Sequence, residues 1–275
     1  MNSPKNLPCQ QLAGVTALAL ISFTTGFKPV QAQSAKPALT VRYVPPPTLP
    51  DRWITSGRQR GGATRRGQCP NVSLPLTALV PATQETIAGK QKQEFDPALS
   101  KWQSVLGLTS NESPTLWFYV PYRLTLPVNF VLQDKQGKTI YKTSFTSQTQ
   151  PGIVSFRLPK EAHLESNKLY QWYFAISCNA QVPTFVKGWV QRVALSPALK
   201  SQLKAATPRE RIVLYAANGI WHEALTTLAL LHRTNPQDAT LAANWESLLQ
   251  SADLQDIAKE PLQNREILRS KPISQ

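Results

Sequence analysis

The side chains of this 275-residue chain that could do chemistry are few: three histidines, three cysteines and sixteen carboxylates. His222 and His232 fall ten residues apart in a stretch of helical periodicity, which does not align them on one face, so both read as exposed helical histidines. His163 stands apart from them. The spacings that bind zinc, CxxC or HExxH, do not occur, nor does a GxSxG elbow or a phosphate-binding loop. Among the carboxylates the closest pair is Asp253 and Asp256 near a helix end, which a solvated turn explains. Glycoside hydrolysis needs two carboxyls about 5–10 Å apart across a cleft, and nothing in the spacing sets up such a pair. The residues therefore predict no metal, no cofactor and no enzyme.

The cysteines depend on the compartment. Residues 1–32 read as a secretory signal: Lys5 supplies a short positive region, Leu12 to Phe27 is apolar, and Val30-Gln31-Ala32 ends on a small residue. Thr24, Thr25 and Gly26 break the apolar run too early for a comfortable membrane span. Cleavage near Ala32 would remove Cys9 and leave Cys69 and Cys178 in an oxidising periplasmic or extracellular space, where disulfides persist. A bridge between them is expected, and a buried free Cys178 with an exposed Cys69 is the alternative. The chain carries thirty Lys and Arg against sixteen Asp and Glu, a formal charge of +14. That balance favours anionic partners. Export argues against nucleic acid among them.

Aromatic residues concentrate in runs of period two. In Lys168–Leu195, Tyr170, Trp172, Phe174, Ile176 and Cys178 share one face, while Gln171, Tyr173, Ala175 and Ser177 share the other. Such alternation marks a half-buried strand, and a second strand resumes near Val186 after a loop at 179–183. Further strands are expected at 74–80, 115–122, 127–134, 138–145 and 152–159, with turn chemistry at Asp134–Gly137 and Pro151-Gly152. Most strand aromatics read as core. Tyr119 and Tyr173 lie opposite their strands' main apolar sets and are the candidates for surface contact.

These strands predict an antiparallel β-sandwich of immunoglobulin-like size over residues 69–195. The stretch Ala82 to Glu112 reads as an insertion, with a short helix near 97–106. Before it, 33–68 is rich in Pro, Gly and Arg and reads as a disordered linker or basic arm, with Arg52, Arg58, Arg60, Arg65 and Arg66 facing only Asp51. After it the period changes to nearly four. Ser196-Pro197 starts one helix, and Thr207-Pro208-Arg209-Glu210 has the form of a capping box. Tyr215, Gly219, Ala224, Leu228, Leu231 and Pro236 follow the spacing of a tetratricopeptide repeat. A helix over 238–251 should turn Leu241, Trp245, Leu248 and Leu249 inward. The helical unit over 196–258 is too small to bury its own apolar face and should pack on the strands or on a partner. Residues 259–275 read as a frayed basic tail. The fold class is thus α+β, with strands and helices segregated.

Several longer motifs carry a resemblance. Gly61-Gly62-Ala-Thr64-Arg65 leading to Cys69-Pro70, LTALVP at 76–81, PTLWFYVPY at 114–122, PGIVSFRLP at 151–159, GWVQRVALSPAL at 188–199 and the YAANGIWHEALTTLALL run resemble the cyanobacterial family catalogued as domain of unknown function 928. The resemblance implies a secreted or periplasmic protein and carries over no catalytic residue. The expected function is a non-enzymatic protein-interaction module of the cell envelope, with an envelope protein as partner. A carbohydrate-binding envelope protein for polysaccharide or peptidoglycan is the alternative, and an unrecognised hydrolase a more distant one.

Overall fold

The computed structural model describes residues 40–46, 55–61, 69–86, 101–123, 125–148, 150–178 and 183–266. The expected signal, most of the linker, residues 87–100 and the end of the tail lie outside them.

The described strands are β1 (Thr77–Ala78), β2 (Ala82–Thr86), β3 (Lys101–Thr109), β4 (Thr115–Val120), β5 (Thr125–Asp134), β6 (Thr139–Gln148), β7 (Gly152–Arg157), β8 (Leu169–Ile176), β9 (Thr184–Arg192) and β10 (Leu262–Glu266). They form two sheets, ordered β1-β4-β7-β10 and β2-β3-β9-β8-β5-β6. Both are mixed. β3 runs parallel to β9 and β10 parallel to β7, so the expected all-antiparallel pairing fails at those two ladders. The β8–β9 hairpin pairs as its alternation predicts, from Leu169 opposite Gln191 to Ile176 opposite Thr184.

The sheets share one apolar layer. Phe118 of β4 stacks on Phe174 of β8 at 4.0 Å, and Phe130 of β5 on Phe156 of β7 at 4.2 Å. Such ring pairs add to the burial that drives the layer together. Gly188 is required here: a Cβ on it would lie 2.4 Å from the Trp172 indole.

A second core lies on the opposite side of the four-stranded sheet. Helices α1 (Pro197–Ala205), α2 (Pro208–Ala217), α3 (Trp221–Thr234) and α4 (Ala239–Gln250) follow the strands. Ser196 caps α1 by accepting from the Leu199 N–H, and Thr207 with Glu210 closes the capping box of α2. Leu79, Trp117, Tyr119 and Ile153 meet Ile212, Trp221, Leu225, Leu228 and the α4 stripe of Leu241, Trp245, Leu248 and Leu249 in one buried cluster. The helices therefore pack on the strands.

Three expectations are corrected. Residues 101–106 are strand, not the end of a short helix, and 82–86 and 101–109 of the supposed insertion build the edge of the six-stranded sheet. The tail does not fray at 259, because Leu262–Glu266 adds a strand. The linker is packed at two places. In 40–46, Val41 and Tyr43 are buried, and the Val44 N–H donates to the Ala216 carbonyl at the end of α2. In 55–61, the segment fills the gap where β3 and β9 part. Gly57 donates to the Gln103 carbonyl, Arg58 and Lys187 exchange backbone hydrogen bonds, and Gly61 donates to Leu76. Arg60 then forms a forked ion pair with Asp256, at 2.6 and 2.8 Å.

Candidate functional site

The pairing registers set one row of side chains across the outer face of the six-stranded sheet. Lys142 of β6 lies opposite Val131 of β5, Val131 opposite Tyr173 of β8, Tyr173 opposite Lys187 of β9, and Lys187 opposite Arg58. Directly paired residues in antiparallel ladders project to the same side. Strands are spaced by about 4.8 Å, so the row spans roughly 19 Å. Its cations are arranged against rings. The Arg58 guanidinium lies 4.8 Å from the centre of the Phe185 ring, and Lys187 Nζ lies 5.9 Å from that of Tyr173. Cation–π attraction of this kind holds long basic side chains in place. The other outward positions on β8 and β9 include Leu169, Gln171, Ala175, Gln191 and Trp189, which is buried with Leu106 and Leu108, and on β5 Pro127, Asn129 and Gln133. None is a carboxylate, so no acid of these strands neutralises the row.

Tyr173 sits where the alternation puts it: half-buried on the outer face, its hydroxyl donating to Gln171 Oε1. Tyr119 does not. It is 5 % exposed beneath the helices, where burial and the neighbouring Glu260 carboxylate push its hydroxyl up to about 12. Cys69 and Cys178 form the expected disulfide, closing a sequence separation of 109 residues. Phe185 and Lys187 escaped sequence reasoning, and Arg58 entered it only as one of the arginines of the basic arm. Arg58 sits in a stretch without apolar periodicity, and Phe185 and Lys187 gain meaning only from the β8–β9 register.

A second group of ionisable residues opens α3. His222 is 1 % exposed, not an exposed histidine as its spacing suggests. It is seated over Gly107 of β3, where a Cβ would lie 2.4 Å from its Nε2. Neither ring nitrogen has a hydrogen-bond partner among the described residues. Burial pushes the ring down to about 4, with a backbone group of Thr115 pulling the other way. Its neighbour Glu223 accepts from the Thr109 hydroxyl at 2.6 Å and from the Ser110 and Asn111 N–H groups at 3.1 Å. Burial raises this carboxyl against those four favourable contacts with Thr109, Ser110, Asn111 and its own backbone. The two side chains dock the start of α3 against β3 and hold the β3–β4 loop. Tyr215 lies close enough for its hydroxyl to feel the Glu223 charge. Among the described residues no group of His, Cys, Asp and Glu could hold a metal ion.

Residues 60–262 match the family model described as Domain of Unknown Function (DUF928). The chain belongs to the DUF928 family. The DUF928 span runs from Arg60 in the packed 55–61 segment to Leu262 at the start of β10, so β1–β9 and the four helices fall within one family unit. No curated protein matches the chain.

Proposed function

We propose that this DUF928 protein is an exported, non-enzymatic binding protein of the cell envelope, and that the outer face of its six-stranded sheet binds an acidic polysaccharide. The row Lys142, Tyr173, Lys187 and Arg58 carries the reading. A basic row about 19 Å long fits several residues of a polyanion, and half-exposed rings beside it offer apolar contact to sugar faces. The two sheets read as a β-sandwich, and α2–α4 as a tetratricopeptide-like unit turned inward onto it. Export is favoured by the apolar run at 12–27 and by the Cys69–Cys178 bridge, which suits an oxidising compartment. Among the described residues no helix is long and apolar enough to cross a membrane.

Docking of an envelope protein on the helices is the second reading. Leu230 on α3, 43 % exposed, favours it. The rest of the apolar stripe that such docking would use is spent against β4 and β7.

Titration calorimetry with polygalacturonate and with neutral dextran tests the first reading. The acidic polymer should bind with an affinity that falls as salt rises, and Lys187→Glu should weaken it about tenfold or more. Equal binding of both polymers, or no effect of Lys187→Glu, would reject it.

A further inference from the structure

We propose that the ends of α2, α3 and α4 form a peptide-binding groove, and that residues 40–46 fill it as a tethered ligand which a partner peptide of the same chemistry displaces. The groove is independent of the polysaccharide row, which lies on the outer face of the six-stranded sheet. Residues 40–46 belong to no described strand or helix. Their side chains alternate: Val41 and Tyr43 are buried, while Thr40, Arg42 and Val44 are exposed. The Tyr43 ring meets Trp221 at the start of α3 edge-on, with centroids 5.1 Å apart.

The helices supply the acceptors. The Val41 N–H donates to Asn244 Oδ1 of α4 at 3.3 Å, and the Tyr43 N–H to Ser251 Oγ at the end of α4 at 3.1 Å. Ser251 Oγ donates its own proton to the Leu248 carbonyl at 2.6 Å, so its lone pairs are left for the incoming backbone. The Val44 N–H donates to the Ala216 carbonyl at 3.0 Å. Gly219 then admits the proline. Its φ is +73°, and a Cβ there would lie 2.8 Å from Pro46 Cδ. Backbone hydrogen bonds with alternate side chains set into pockets are how domains read short peptides. The occupant itself names the ligand class: an aliphatic residue, an aromatic two positions on, and proline after it.

Two features mark this stretch as a ligand of the helices and not as part of their fold. The family span begins at Arg60, so the groove lies inside the DUF928 unit and its occupant outside it. The stretch also carries two buried side chains against the entropy of ordering seven residues, a balance that lets it open locally while the sheets stay folded.

Two measurements on the full chain test this. In hydrogen exchange of the parent, the Val41, Tyr43 and Val44 amides should exchange about a hundredfold faster than those of β8. In fluorescence anisotropy, a labelled synthetic peptide of residues 38–48 should bind the Tyr43→Ala chain about tenfold or more tighter than the parent, where the tethered segment competes at high effective concentration. The same peptide with alanine at the Tyr43 position should not bind, and adding Asn244→Lys to Tyr43→Ala should weaken binding about tenfold. Exchange of the three amides at the β8 rate overturns the proposal, because the stretch would then open only with the whole fold. So does a Tyr43→Ala chain that fails to fold, one that folds and binds no peptide, or binding that the alanine peptide or Asn244→Lys leaves unchanged.

Discussion

The two sheets bury their shared faces alike and treat their outer faces in opposite ways. β4 is buried on both sides: Leu116, Phe118 and Val120 enter the layer between the sheets, and Trp117 and Tyr119 enter the layer under the helices. β8 alternates strictly, with every second residue half-exposed. The difference lies in what covers them. The four-stranded sheet receives α2–α4, and Trp117 fixes the contact by donating from Nε1 to the Thr226 hydroxyl at 3.0 Å. Over β8 and β9 the outward side chains are one cation, Lys187, the rings of Tyr173, Phe185 and Trp189, and amide or small apolar residues, with Trp189 buried beside Leu106 and Leu108. An aromatic on a strand is therefore core or candidate ligand surface according to an element that can lie a hundred residues away.

Substitutions at matched positions on the two outer faces should separate them. The largest effect is expected at Trp117. Trp117→Ala opens a cavity between sheet and helices and should cost about 3–5 kcal/mol in denaturant unfolding; a loss below about 1 kcal/mol would mean that the helices do not seal that face.

Acid should act on the same junction. The His222 ring binds its proton near pH 4 in the folded chain and near 6.5 when unfolded, so the unfolded state takes up more protons between those values. Its contribution is complete above pH 6.5 and is lost as pH falls toward 4, to a total of about 3 kcal/mol. Glu223 has the opposite sign: its raised carboxyl disfavours the fold as pH rises through its titration. The His222 part is isolated by comparing the parent with His222→Leu. The loss of stability from pH 7 to pH 4 should be smaller in the variant by roughly that amount, and equal losses would place the imidazole in water.

The smallest effect is expected on the open face. Tyr173→Ala removes a half-exposed ring beside Lys187 and Gln171 and should cost less than about 1 kcal/mol in the same unfolding experiment, while weakening polysaccharide binding. A cost like that of Trp117→Ala would show the face to be covered.

Much of this contrast can be read in the chain. Strict alternation located β8 and its hairpin with β9, and cap chemistry located the start of α2, because both are local signals. β4 carried its own clue: TLWFYV is apolar on both faces, which suits a strand covered on both sides. Tyr119 differs from its expectation because helices far along the chain cover its face of β4. β3 escaped because its pairing with β9 is parallel and far in sequence, and 55–61 escaped because it is held by backbone hydrogen bonds and not by apolar burial. His222 was misread since the glycine that admits it, Gly107, lies on another element. The basic row itself is a product of register across four strands and a segment, and no single stretch contains it.

Acidic-polymer binding on the outer face requires that particular basic side chains meet the polymer. Lysine-selective acylation of the folded protein, with and without polygalacturonate, reads this directly. Lys142 and Lys187 should react more slowly with the polymer present, while the exposed Lys200 and Lys204 of α1 should react as before. Protection of the α1 lysines with Lys142 and Lys187 unchanged would contradict it and place binding on the helices.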